Sequence, residues 1–554
     1  LIVLVVAFAL ILSGCSANQD AAEPAETDTP SDTSQPAEEP TPADPFEKYA
    51  TPVDVNTVMS LNSTIVYRDG ESYDNNVWTQ AYADVLGINL NYMWAVDATQ
   101  YDTKLNLSIA SNDLPDIFNV NGEQLSTLVE NDSVEVLDDA YNAYGSDLTK
   151  ELYDQDPVVA SLGIRDGKLY ALTNGIATAD EAPILYVRED WRQKLNLPEP
   201  ETMDDFMQIA EAFVSQDPDG NGEDDTVGLI LTKTLNHNDA YVGMQGFGDM
   251  GGFANAYHAY PGMWTTDDTG RIVYGSIQPE MKVVLQELQD MYNDGLLDKE
   301  FAVKDMAKAA ELTSAGKCGL AFGAMWAPFY PLQTTIQNNE DAEWQPYPIP
   351  SSDDQLVKAG VLVSANWYTV VRKGFEYPEA AVKMVNLFAE KGWGETADPS
   401  MMNGDGAEYV PFKYALAQVW PPLKNVNQHN DIVEALQSGD TSNLDPESLS
   451  VYEAIDDYLT TGNVLNWGSN KIFGENASFD VINEYLAEGA YMYDEYHGIP
   501  TPTMIDKDST LQAMENVVFT KIIMGDSIDN FDKFVSDWKS LGGDDITAEM
   551  NGER

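Results

Sequence analysis

The chain has 554 residues, of which 43% are hydrophobic, so it is long enough for two or more domains with substantial cores. Its 92 acidic residues outnumber its 29 Lys and Arg residues and give a formal net charge of −63. A surface this negative repels phosphate groups, which argues against nucleic acid as a partner. The two cysteines are too few for a disulfide framework, so the cores must supply the stability.

Residues 1–12, LIVLVVAFALIL, form an apolar run that is too short to cross a bilayer but has the length of a signal-peptide core. The residues LSGC that end at Cys15 resemble the lipobox of bacterial lipoproteins. This pattern predicts a signal peptide over 1–14, with the sequence beginning inside it, and a lipidated Cys15. Acyl chains there would anchor the protein to the extracellular face of the cell membrane without spanning it. The alternative is a signal peptide followed by an incidental cysteine.

The next segment is acidic and rich in proline. Residues 16–45 contain eight acidic residues and six prolines but no aromatic residue, lysine or arginine. Such a composition cannot bury enough apolar surface to offset the entropy lost on ordering. We therefore predict a disordered acidic stalk over 15–50 and a folded body that begins near Thr51. No later stretch of the sequence has the length and apolarity of a membrane span.

The body alternates strand-like and helix-like patterns. Residues Val55–Leu61 predict a strand, and 75–86 predict the first helix. A further helix is predicted to start after Thr202, the N-cap of a capping-box variant. Another is predicted to start at Pro279 and to end before Gly295. Mixed strands and helices over most of the chain indicate an α/β architecture.

The sequence DPDGNGEDD over 217–225 places oxygen ligands at alternate positions and a glycine at the sixth, which is the order of a calcium-binding loop. The predicted ligands are side chains and one backbone carbonyl, from Asp217, Asp219, Asn221, Glu223 and Asp225. The twelfth position is Gly228 rather than a bidentate glutamate, and a strand pattern surrounds it. We therefore expect a structural calcium site of weak affinity, the alternative being a solvated acidic loop.

Several motifs together resemble one protein family. The lipobox, the stalk, LPDIF at 114–118, LYVREDW at 185–191, DPDGNGEDD and the C-terminal FDKFVSDWKSLGGDDITAEMN are similar to those of the extracellular solute-binding lipoproteins of carbohydrate ABC importers. The resemblance covers nearly all of 51–554. It implies a monomer that captures an extracellular saccharide, with an oligosaccharide favoured, and delivers it to an ABC transporter permease.

The resemblance also implies a fold. Members of the family have the α/β, two-lobe periplasmic-binding-protein-like fold of type II, with hinge strands between the lobes and a ligand cleft between them. For this chain we predict three crossings between the lobes. The predicted lobe 1 consists of 51–182 plus 366–465, and the predicted lobe 2 consists of 183–365 plus 466–554.

Sugars present apolar faces and a rim of hydroxyl groups, so a saccharide site needs flat aromatic platforms and hydrogen-bonding side chains. Four tryptophans in loop-like contexts are candidate platforms: Trp264, Trp326, Trp367 and Trp467. For any one of them, packing in the core is the competing interpretation. The resemblance matches Trp326 to an aromatic residue after a strand, and it places Trp367 where the chain crosses between lobes.

Three polar residues are further candidates for ligand binding. The resemblance implies that Asp116 is a hydroxyl-binding carboxylate at the cleft edge, the alternative being an ordinary cap at a turn. Arg188, on the predicted first crossing strand, can bond a ligand or pair with Asp190. Asn76, which follows Asn75 before the first helix, can cap that helix or line the cleft.

Motifs of catalysis are missing from the sequence, which contains no HExxH, no GxSxG and no P-loop. One GxGxxG occurs at Gly246–Gly251, but no helical pattern follows it, and Asp249 would repel a pyrophosphate. We therefore predict no enzyme activity and no catalytic residues. The alternatives to a saccharide carrier are a peptide- or signal-binding lipoprotein and, with less support, a glycoside hydrolase whose paired carboxylates the sequence does not reveal.

Overall fold

The computed structural model describes residues 43–61, 66–236, 246–402, 409–496 and 500–553. The predicted signal peptide, Cys15 and most of the predicted stalk lie outside these residues. Strands and helices alternate along the body, which confirms the predicted α/β class. No helix in this described part of the chain is long and apolar enough to cross a membrane.

The secondary structure begins with a strand and ends with a helix. The strands are β1 (Val53–Leu61), β2 (Ile88–Asp97), β3 (Ile117–Val120), β4 (Ile164–Arg165), β5 (Lys168–Leu169), β6 (Ala171–Gly175), β7 (Ile184–Arg188), β8 (Val227–Leu229), β9 (Trp264–Thr266), β10 (Ile272–Tyr274), β11 (Cys318–Gly323), β12 (Trp344–Tyr347), β13 (Ala359–Val361), β14 (Ala365–Val371) and β15 (Tyr491–Tyr493). The helices are α1 (Val77–Ala81), α2 (Ala98–Ser111), α3 (Gly122–Glu130), α4 (Asp138–Tyr144), α5 (Asp147–Asp154), α6 (Pro157–Ser161), α7 (Glu189–Lys194), α8 (Met203–Ser215), α9 (Gly251–Asn255), α10 (Pro279–Asp294), α11 (Met306–Ser314), α12 (Gln333–Asn338), α13 (Glu379–Trp393), α14 (Pro399–Met402), α15 (Lys424–Ser438), α16 (Pro446–Thr461), α17 (Trp467–Phe473), α18 (Ser478–Glu488), α19 (Pro502–Ile523), α20 (Asn530–Trp538) and α21 (Asp544–Met550).

The first lobe is organised around the sheet β3-β14-β6, in which β14 pairs antiparallel with both neighbours. The parallel pair β1 and β2 packs beside it. Along the first half of β1, Val53 and Val55 are buried while Asp54 and Asn56 are exposed, which is the alternation expected of a strand with one solvent-exposed face. Helix α13 covers the core, and its Phe388 stacks on Trp78 with ring centroids 5.2 Å apart.

The second lobe is organised around the sheet β12-β7-β11-β8. Strands β7 and β11 are buried along their whole length, because helices cover the sheet and their sequences are almost continuously apolar. Gly319 on β11 lets α8 approach closely, since a Cβ atom there would stand 2.1 Å from Cδ2 of Phe213. Helix α10 and the long helix α19 pack against each other at the outside of this lobe.

The third crossing between the lobes differs from the prediction. Residues up to 465 were assigned to lobe 1, but α15 and α16 bury Val426, Ile432 and Ile455 in the core of the second lobe. Val419 still belongs to a first-lobe core, so the third crossing comes near 420–423 and not near 465. The two prolines in that segment suit an extended crossing, because proline cannot continue a helix from the preceding residues.

The predicted helix ends are confirmed where a capping residue marks them. The Thr202 hydroxyl accepts from Asp205 N at 3.2 Å while the Asp205 carboxylate accepts from Thr202 N at 3.1 Å, so the capping box is confirmed. Helix α10 starts at Pro279 and is closed by Gly295 at φ 81°, a left-handed conformation that glycine adopts without strain. The first helix is shorter than predicted, since only Val77–Ala81 is α-helical before a π-helical turn.

Candidate functional site

A cavity of about 1000 Å³ lies between the two lobes, and it is called the cleft below. The first lobe contributes Val58 on β1, Asn119 on β3 and Asn174 on β6. The second lobe contributes Trp326, just after β11, and Phe473, at the end of α17. The cleft therefore lies where the resemblance to the solute-binding lipoproteins predicts a ligand site, and both lobes line it.

Aromatic rings form much of the cleft wall. Trp326 and Phe329 lie with ring centroids 6.2 Å apart and planes 19° apart, and Phe329 is 44% exposed. On the other side Phe412 meets Trp420 edge-on, with centroids 4.9 Å apart at 84°. Trp367 on β14 also lines the cleft. Two of the four predicted tryptophan platforms, Trp326 and Trp367, thus lie in the cleft. The other rings that line it were not predicted: Tyr101, Phe329, Phe412, Trp420 and Phe473.

The floor of the cleft is polar. Asn174 lies opposite Trp367 in the register of β6 and β14. Gln418 accepts from the Asn174 amide at 3.4 Å and from Trp420 Nε1 at 3.2 Å, and it donates to the Phe412 carbonyl at 2.8 Å. Within the described residues, Asn174 Oδ1 and Trp367 Nε1 are buried and have no hydrogen-bond partner. These two atoms therefore lack the partners that buried polar groups in proteins usually have.

Asp180 is a third polar group of this kind. It lies on the 3₁₀ turn Thr178–Glu181, between β6 and β7, and is only 3% exposed. Asn425 on α15 donates to its Oδ2 at 2.7 Å, while its Oδ1 is buried with no partner in the described part of the chain. Burial, reinforced by Glu181, raises the pKa of Asp180 to about 7. Asp180 was not among the predicted site residues, although its position just before the predicted first crossing is a signal that could have identified it.

Two of the predicted polar residues serve the fold. Asn76 is fully buried as the N-cap of α1, where its Oδ1 accepts from Trp78 N and its amide donates to two backbone carbonyls. Arg188 is 2% exposed, makes a two-point ion pair with Asp190 at 2.8–2.9 Å and stacks over Trp191 at 4.1 Å. Neither lines the cleft. Asn76 therefore caps a helix and Arg188 forms an internal ion pair, and neither makes the predicted ligand contact.

Two of the predicted tryptophans are core residues. Trp264 is 6% exposed and packs against Tyr274 and Trp538, with ring centroids 5.1 and 6.2 Å away. Trp467 is fully buried and donates through Nε1 to Glu343 at 3.1 Å. Neither ring lines the cleft. The prediction that they are platforms is wrong, and the competing interpretation, packing in the core, applies. Helices from distant parts of the sequence cover both rings.

Asp116 also lies outside the cleft. Its carboxylate accepts from the backbone and side-chain nitrogens of Asn56 at 2.9 and 2.8 Å and from Arg372 Nη2 at 2.6 Å. These bonds tie β1 to the end of β14, and they occupy both carboxylate oxygens. The residue borders a separate surface pocket of the first lobe. The predicted hydroxyl-binding role is therefore replaced by a structural one.

The oxygen-bearing residues of the predicted calcium loop follow the expected order along the chain, but their oxygens bond other protein groups. Asn221 donates to Asp219 and Asp225 at 2.9 and 3.1 Å, and the Lys317 ammonium pairs with both, which holds the pKa of the Asp225 carboxyl below its usual range. In the described part of the chain, no three His, Cys, Asp or Glu side chains are grouped to hold a metal. Asp217 Oδ1 is nevertheless buried without a partner among the described residues, and carboxylate and amide oxygens are ligands that suit calcium.

Comparison with known proteins identifies the family. The model of the family described as "Bacterial extracellular solute-binding protein" matches residues 65–395, which is more than half of the chain. The chain belongs to this family. Its two lobes and the cleft between them are the architecture of such a binding protein, so the resemblance found in the sequence is confirmed.

Named relatives of this solute-binding protein are distant. It is 25% identical over 482 residues to the polygalacturonan/rhamnogalacturonan-binding protein YtcQ of Bacillus subtilis, covering 83% of this chain and 84% of that one. It is 26% identical over 251 residues to lipoprotein LipO of the same organism, covering 45% and 46%. Among solved structures, an HMO-binding, ABC-transporter-associated solute-binding protein of Bifidobacterium longum infantis has a TM-score of 0.58 and 14% identity, covering 91% of this chain and 98% of that one. At that identity the structural likeness shows the fold alone.

Proposed function

We propose that this solute-binding protein captures an extracellular oligosaccharide in the cleft and delivers it to the permease of an ABC importer, without acting on it as an enzyme. The observation that carries the proposal is the cleft itself, in which aromatic rings flank a floor of buried, unpartnered hydrogen-bonding groups. Rings stack on the apolar faces of sugars, and such polar groups bond their hydroxyls. The volume, at the upper end for small-molecule sites, suits an oligosaccharide better than one sugar ring. The relative that is named as a polygalacturonan/rhamnogalacturonan-binding protein supports the class of ligand.

The test is a thermal-shift screen of the mature chain against mono- and oligosaccharides and short peptides, followed by calorimetry on every hit. We expect stabilisation by at least one oligosaccharide, because a ligand that binds only the native state raises its stability. Incubation of the same sugars with the protein should yield no new reducing ends. Stabilisation by peptides alone would support the peptide-binding alternative, and new reducing ends would support a hydrolase.

We also propose that Cys15 carries the lipid that holds the protein at the outer face of the cell membrane. The lipobox pattern supports this, and so does the relative named as a lipoprotein. Cys15→Ser should release the processed protein from membranes or leave it held by an uncleaved signal peptide. Processed Cys15→Ser protein that stays in the membrane fraction would contradict the proposal.

A structural calcium ion in the loop 217–225 is the third part of the proposal. The order of the oxygens and the unpartnered Asp217 Oδ1 support it. The Lys317 ammonium, which pairs with two of the predicted ligands, would have to move away when calcium binds. Calcium should raise the melting temperature of the protein, and chelation should lower it again. Asp219→Ala should abolish the response to both, whereas Asp204→Ala, an exposed acid on α8, should keep it. The same melting curve in calcium and in EDTA would refute this part alone.

A further inference from the structure

The cleft is acidic as well as aromatic. Four acidic side chains line it against two lysines, and no arginine lines it within the described residues: Asp102, Asp180, Glu181 and Glu447 against Lys413 and Lys424. Lys424 is already bonded to Glu447 at 2.5 Å. A ligand that bears carboxylates needs cationic partners, and arginine is the best of them. The cleft therefore offers little to an anionic ligand, and a polygalacturonan, which the name of the relative YtcQ contains, is anionic.

The floor adds a hydrogen-bond pattern. Asp180 Oδ1 and Asn174 Oδ1 are acceptors without partners, and Trp367 Nε1 is a donor without one, all within the part of the chain that the structure describes. A hydroxyl group can both donate and accept, so a ring of hydroxyls satisfies all three atoms. An ammonium group has nothing to offer the Trp367 donor, and a carboxylate has nothing to offer the two acceptors.

We propose that the cleft selects uncharged oligosaccharides and that Asp180, Asn174 and Trp367 hold the hydroxyl groups of one sugar ring at its floor. This inference rests on the proposed function and narrows it to one class of saccharide. The aromatic walls stack on the rest of the ligand and do not distinguish charged from uncharged sugars. Discrimination comes from the acidic side chains that line the cleft, Asp180 among them, which repel a uronate carboxylate.

The first experiment compares matched ligands by calorimetry at pH 8. The panel holds uncharged di- to tetrasaccharides of several linkages, and it includes α-1,4-linked galactose oligomers together with the galacturonate oligomers of the same length and linkage. We expect at least one uncharged member to bind and every galacturonate oligomer to bind at least about tenfold more weakly, which is about 1.4 kcal/mol. Tighter binding of the galacturonate oligomers would overturn the inference and leave the proposed function intact. Binding of no saccharide from either class would overturn both.

The second experiment tests the floor with variants that each remove one of its unpartnered polar atoms. Asp180→Asn and Trp367→Phe should each weaken binding of the best uncharged sugar from the first panel by about tenfold or more. The melting temperature without ligand should change little, because neither polar atom removed has a partner within the described chain. Asp84→Asn, which removes one exposed acid outside the cleft, is the matched charge control and should bind as the unmodified protein does. Unchanged affinity in both floor variants, or a loss that parallels a lower melting temperature, would overturn the assignment.

Discussion

Replacing Asp116 distinguishes a binding residue from a structural one. A hydroxyl-binding role predicts that Asp116→Ala weakens sugar affinity and leaves the stability without ligand unchanged. The structure predicts the reverse. The substitution removes two bonds from Asn56 and a charge-assisted contact with Arg372, and it leaves the Asn56 backbone N–H without its side-chain acceptor.

The size of the effect follows from those contacts. Two neutral donors contribute about 1 kcal/mol each, and the ion pair adds about 1 kcal/mol because the Arg372 side chain is 36% exposed and partly screened. The free energy of unfolding should therefore fall by about 2–4 kcal/mol. For a lobe of this size that lowers the melting temperature by about 5–10 °C.

Thermal unfolding and calorimetry with a bound sugar measure the two quantities separately. Saccharide affinity of Asp116→Ala should stay within about twofold of the unmodified protein at temperatures where both are folded. Asp113→Ala, at an exposed acid in the same turn, should change neither quantity. An Asp116→Ala protein with unchanged stability and lost affinity would refute the structural role and return the residue to the ligand site.

Three further outcomes are expected. Trp326→Ala should weaken saccharide binding by about 1–3 kcal/mol in calorimetry with little change in melting temperature, because its ring lines the cleft. Trp467→Ala should instead lower the free energy of unfolding by about 3–5 kcal/mol in denaturant titrations, because its ring is fully buried. Burial raises the pKa of Glu515 from 4.5 to about 7, so the contribution of this group to stability is largest below about pH 4.5 and is lost as pH rises through about 7. Glu515→Gln should remove about 3 kcal/mol of that loss when unfolding is measured from pH 4 to pH 8.

Patterns that act over a few residues were readable from the sequence. The Thr202 capping box, the proline that starts α10 and the glycine that ends it are each decided within one or two turns of chain, and all three were predicted correctly. The family, the α/β class and the two-lobe architecture followed from motifs in a fixed order along the chain. The third crossing was misplaced, since the affiliation of α15 and α16 depends on which lobe their apolar faces reach.

The candidate site was only half readable, because burial depends on distant residues. Trp264 and Trp326 both occupy loop-like sequence contexts, yet Trp538 on α20 covers the first ring and the cleft leaves the second open. Asp180 looks like an ordinary loop acid in the sequence. In the folded chain it is bonded by Asn425 on α15, a residue far along the sequence, and no local sequence pattern predicts that contact.

The floor of the cleft coincides with the segments that join the lobes. Asp180 lies just before the first crossing, Trp367 lies within the second, and Gln418 precedes the third, which contains Pro421 and Pro422. A sugar ring held there would lie beside the segments whose backbone must bend if the lobes move. We expect lobe closure to be driven by the difference in ligand contacts between the open and closed forms. A sugar that does not bind the floor of the cleft should therefore not induce closure of the lobes. Selectivity for the ligand and the signal to the permease would then depend on the same three crossings.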